Sequence, residues 1–185
     1  MVRENDSNTI TYEQMNLINK LRTLMMEFIM WSRAFITSVA SGFGDVEAVG
    51  LRLYQLPVDI GNVFEVFFGQ QIGSQIERFL TDQLLLAAEI LRAQVEGDTA
   101  TVDADTLKLY QSGDEMAAFL AQINPYWDQQ TWADLFAQFL RTKIAETLAI
   151  GSGAFQESIT VSENLRDQAL NMADYMAEGI IRNFY

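Results

Sequence analysis

The sequence predicts an all-α fold, a bundle of four long helices joined by short connecting helices, and three observations carry that prediction. Apolar residues recur at steps of three and four along most of the chain. No stretch sustains the alternation of apolar and polar residues that a half-buried strand needs. Capping residues stand where the periodic runs begin and end.

The first run, Leu17, Leu21, Leu24, Met25, Phe28, Trp31 and Phe35, opens behind Thr11 and Gln14, which have capping-box spacing, and ends at Gly42 and Gly44. Short helical pieces near residues 45–54 and 57–67 follow, parted by Pro57. The second run passes through Ile72, Ile76, Phe79, Leu80, Leu84, Ala87, Ile90 and Leu91 and stops at Gly97. Two more short pieces, near residues 100–111 and 114–122, come next, the latter announced by Ser112 and Glu115. Pro125 in Asn124-Pro125-Tyr126-Trp127-Asp128 cannot continue a helix and Asp128 can cap the next, so this stretch reads as a packed corner or, alternatively, a stacking platform for a ligand. The third run is Trp132, Leu135, Phe136, Phe139, Ile144 and Leu148, closed by Gly151 and Gly153. Thr160 and Glu163 open the last, about residues 160–182, through Leu165, Ala169, Met172, Ala173, Met176 and Ile180.

The chain resembles itself at a period of about 55 residues. Phe28, Gln83 and Gln138 are spaced at that interval, as are Ile29, Leu84 and Phe139, then Ser32, Ala87 and Thr142. Leu53-Tyr54-Gln55 returns one residue later, as Leu109-Tyr110-Gln111. Length, and the absence of a Gly/Ser-rich or Pro-rich linker, give 1–185 as a single bundle domain, with residues 1–10 expected to be flexible.

Composition excludes more than it suggests. Cysteine and histidine are both absent, which removes disulfides, thiolate nucleophiles, Ser-His-Asp and Cys-His catalysis and histidine metal sites together. A formal net charge of −13 repels phosphate backbones and anionic lipid headgroups, so neither nucleic acid nor a membrane surface is expected as a partner. The first residues lack the order of a secretory signal, and no uncharged apolar run approaches the ~18 residues of a membrane span. A soluble, cytoplasmic protein is the expectation, with no cofactor.

Few side chains are left to carry chemistry. Gln83 and Gln138 stand on otherwise apolar faces, where an amide needs partners. They either line a polar pocket or sit at a helix margin bonded to a neighbour or water. Lys143 is placed to form a Schiff base, or to snorkel to the surface, or to pair with a carboxylate such as Glu146. Glu27, Asp82, Glu89, Glu146, Asp174 and Glu178 are the carboxylates on the long helices, with Asp174 and Glu178 one turn apart, but no ligand-spaced cluster emerges. There is no glycine-rich phosphate loop.

Trp31-Ser32-Arg33, Asn124-Pro125-Tyr126-Trp127 and the ending Ala169-Leu170-Asn171-Met172-Ala173-Asp174-Tyr175-Met176-Ala177-Glu178-Gly179-Ile180-Ile181 resemble a group of small, uncharacterised all-helical bacterial proteins, some of which have been labelled acetylglutamate kinase. The resemblance runs over most of the chain. The kinase label does not follow from the residues, because such a kinase needs an α/β sheet with glycine-rich phosphate loops. The resemblance implies histidines in relatives at the positions of Phe28, Gln83 and Gln138, converging near the equivalent of Asp174 as a metal site. All three positions differ here, which implies a scaffold kept without its ligands.

Two functions are therefore expected in competition. One is a non-enzymatic binding or structural module, acting through a helix face with a protein partner or as a homo-oligomer. The other is an enzyme or sensor with a pocket between the helices formed by Phe28, Gln83, Gln138, Asp174 and Lys143.

Overall fold

The computed structural model describes residues 9–185, so most of the stretch expected to be flexible, residues 1–10, lies outside the described residues. Six helices account for nearly all of it: α1 (Tyr12–Ser41), α2 (Val46–Phe68), α3 (Gln70–Glu96), α4 (Thr99–Ile123), α5 (Gln129–Gly151) and α6 (Phe155–Phe184). No strand occurs among the described residues.

The four periodic runs are α1, α3, α5 and α6. The short connecting pieces are instead two further long helices, which corrects the expected count from four to six. α2 runs unbroken through Pro57 because Leu53, Leu56, Pro57, Ile60 and Phe64 are all buried along one side, and that burial outweighs the hydrogen bond that proline removes. Likewise α4 continues through Ser112 and Gly113, since Leu109, Gly113, Met116 and Ala117 are buried along one side, with Gly113 beside Phe136 of α5. Ser112 and Thr160 are thus helix-interior residues rather than caps.

Other local signals hold. Thr11 and Gln14 form a reciprocal capping box, Asp128 accepts from the Thr131 amide, and Gly42 and Gly97 take left-handed φ of 66° and 77° that a Cβ would strain. The connections are one to five residues long, too short for anything but reversal of direction at each. Each helix packs on its successor and α6 returns onto α1, closing a ring, while α1 also reaches α5 across the middle.

Two glycine contacts set the tightest crossings. A Cβ on Gly73 would lie 2.7 Å from the Gly61 carbonyl oxygen, so α2 and α3 approach backbone to backbone beside their Gly69 turn. Gly179 of α6 receives the Trp127 indole, whose Nε1 donates to the Tyr175 carbonyl oxygen at 3.2 Å. Tyr175 Oη in turn accepts from the Asp128 amide at 2.7 Å. The aromatic corner is therefore a clamp between α5 and α6, with Trp127 buried against Phe64, Phe68 and Trp132.

Candidate functional site

Because every helix presents an apolar face inward, the ring encloses a cavity of about 170 Å³ to which all six helices contribute. Its walls are aliphatic and aromatic: Phe28 and Phe35 from α1, Leu84 and Leu91 from α3, Phe139 from α5, Met172 from α6. Phe28 and Phe139 meet at 6.1 Å between ring centroids. The cavity opens to solvent along α3 and α5, where Ala87 on its wall is exposed and Gln83, Leu140 and Lys143 are half-buried.

Three of the five residues expected to form a pocket are on this wall. Phe28, Gln83 and Lys143 line the cavity. Gln138 is exposed and contributes nothing to the wall, because Phe139, 100° further round α5, takes the inward place. Asp174 lies outside as well, held in a fork by Arg22 with both oxygens at 2.6 Å. Gln83 donates to Ser112 Oγ at 3.2 Å, so its amide is anchored to α4 at the mouth. The four positions that the resemblance implies as a metal site do not converge. Among the described residues no group of three or more acidic side chains is placed to hold a metal ion.

Lys143 is the single charged residue on the cavity wall, and it belongs to a buried ionic cluster. Its Nζ donates to Glu146 Oε2 at 2.7 Å. Glu146 Oε1 accepts from Arg33 of α1 at 2.8 Å and from the Ser162 hydroxyl of α6. Arg33 also donates to Ser158 Oγ at 3.0 Å and to Ser162 Oγ at 2.8 Å. The Glu146 side chain is 0% exposed, while Lys143 and Arg33 retain 16% and 31%. Burial pushes the Glu146 carboxyl up, but the Lys143 ammonium and the hydrogen bonds from Ser162 and Arg33 hold it below the ordinary carboxylate value. Burial draws the Lys143 ammonium below its ordinary value and Arg33 adds to that, against the opposing pull of Glu146.

Sequence reasoning named Lys143 and its pairing with Glu146, and missed Arg33, which lies 113 residues from Glu146 and had no local signal. It also missed Tyr54, whose phenol burial pushes upward and keeps protonated on the wall. The signal for that stretch was the repeated Leu-Tyr-Gln: Leu53 and Leu109 both line the cavity.

No family model, curated protein or solved structure matches this chain. The reading of the site rests on its own geometry.

Proposed function

We propose that this protein is a non-enzymatic binding module that holds a small apolar molecule in the cavity at the centre of the helix ring. One observation carries the reading, the cavity itself. Left empty, about 170 Å³ of largely apolar space forgoes packing that a ligand would supply, and apolar cavities near this size accept molecules such as benzene. A largely apolar wall, solvent-accessible between α3 and α5, supplies both the affinity and the way in.

The alternative of a helix face docking a protein partner or a second copy has less support. The exposed large apolar residues are spread over all six helices, with short pairs at Tyr12 and Met15 and at Phe155 and Ile159 but no stripe running the length of any one helix. The 55-residue repeat fits the cavity reading: we infer that α1–α2, α3–α4 and α5–α6 are three related hairpins arranged around a shared interior. In that arrangement Phe28 and Gln83 occupy equivalent wall positions on α1 and α3, while the third position, Gln138 on α5, falls outside the wall and its neighbour Phe139 turns inward. The resemblance to small all-helical bacterial proteins is kept as part of this proposal, without the kinase label, for which no sheet is present among the described residues.

Fluorescence of 1-aminoanthracene tests the reading. Emission should rise and saturate at one equivalent on the natural protein. Ala88→Leu, which extends a half-buried wall residue into the cavity, should abolish that rise while leaving the protein folded and no less stable. Equal binding by both proteins overturns the cavity as the site.

A further inference from the structure

We infer that the molecule held in the cavity is an anionic amphiphile, a medium-chain carboxylate whose head group is received by Lys143; this rests on the cavity being a binding site. The charge distribution points there. The chain carries 25 acidic and 12 basic residues, yet among the described residues no acid lines the cavity and the one charge that does is a lysine. In a surface so strongly negative, a wall with a lone cation is a selective feature rather than an average one.

The neighbours of Lys143 sharpen the case. Three elements supply groups to its cluster, Glu146 from α5, Arg33 from α1, and Ser158 and Ser162 from α6, while α3 and α4 add no charged group to the shared wall. Two cations face one carboxylate, leaving the cluster one positive charge in excess. Oε1 of Glu146 is shared by Arg33 and Ser162, and Oε2 accepts one bond from Lys143. An ammonium has three donors, and Glu146 accepts from only one of them in this structure. An incoming carboxylate would accept the others and neutralise the excess charge in a place of low dielectric, where such a pair is strong. The alkyl chain would then lie along Phe28, Leu84 and Phe139, away from the ionic end.

Calorimetric titration of hexanoate and 1-hexanol, chains short enough for a cavity of about 170 Å³, into the natural protein, Lys143→Met and Lys143→Arg tests this. Lys143→Met should weaken hexanoate at least tenfold and leave 1-hexanol within twofold, and Lys143→Arg should keep hexanoate within threefold. Loss of both ligands together, or of neither, in Lys143→Met overturns the role of the lysine while 1-hexanol binding to the natural protein keeps the cavity reading. Failure of the natural protein to bind either overturns both. A measurement on the natural protein alone covers the case in which Lys143→Met does not fold. Bound [1-13C]hexanoate should keep its carboxylate chemical shift to a lower pH than the free acid does, since a paired cation favours the charged form. A midpoint raised above that of the free acid would mean burial without a cationic partner, and would overturn the inference.

Discussion

At the scale of single residues, the ionic cluster and the Gly179 contact have the largest consequences. Removing the charge of Glu146 leaves Arg33 and Lys143 facing each other across a buried amide, so Glu146→Gln should cost ~3–5 kcal/mol in urea unfolding. The pH dependence follows from the two shifts. The folded-state value of Glu146 is depressed, so its stabilisation is full above the ordinary carboxyl range and is lost as pH falls through that folded value. The folded-state value of Lys143 is depressed too, so the unfolded chain binds more protons between that value and the ordinary lysine one, and stability rises with pH there. Glu146→Gln should therefore flatten the acid limb of stability against pH relative to the natural protein, and an unchanged acid limb would contradict the assignment. Gly179→Ala places a methyl group 1.9 Å from Trp127 Nε1, in a site closed by Phe64, Phe68 and Trp132. It should destabilise by ~3 kcal/mol or more and expose the indole, seen as a red shift of tryptophan emission.

The α2–α3 pair is the element whose geometry is most constrained. Gly61 and Gly73 face each other's carbonyl oxygens, and a Cβ on either would meet backbone, which cannot rotate away. Gly73→Ala should cost ~2 kcal/mol and push the two helices apart, while Gly44→Ala, at a glycine with open space around it and ordinary φ, should be close to neutral. The same elements show what was legible in the sequence. Thr11, Gly42, Gly97 and Asp128 act through atoms three or four residues away, so a local reading finds them. Pro57 and Ser112 carry equally local break signals that tertiary burial overrides, and the two helices they were expected to divide stay whole. Within the site, Phe28, Gln83 and Lys143 were legible because a periodic apolar face shows which residues point inward. Gln138 and Asp174 were not, since which edge of that face meets solvent depends on the neighbouring helix, and Arg33 depends on a partner more than a hundred residues away.

For the whole molecule, the closed ring explains why the interior is hollow. Six helices around one axis cannot all meet at the centre: α1 reaches α5 across it, and α2 meets α6 at one end through Phe68 and Phe184, which leaves the middle unfilled. Tight glycine crossings at α2–α3 and the Trp127 clamp at α5–α6 fix the wall on two sides, while the α3–α5 side is left open. A rigid frame around an open apolar cavity favours a preformed site over one built on binding. Ligand should then raise the midpoint of thermal unfolding progressively with its concentration, as expected when only the folded chain binds. The most direct test of the cavity as a binding site is anomalous diffraction from crystals soaked in bromobenzene. The account predicts a bromine peak inside the ring, among Phe28, Leu84 and Phe139. Bromine peaks confined to the outer surface, around an interior that excludes the probe, would contradict it.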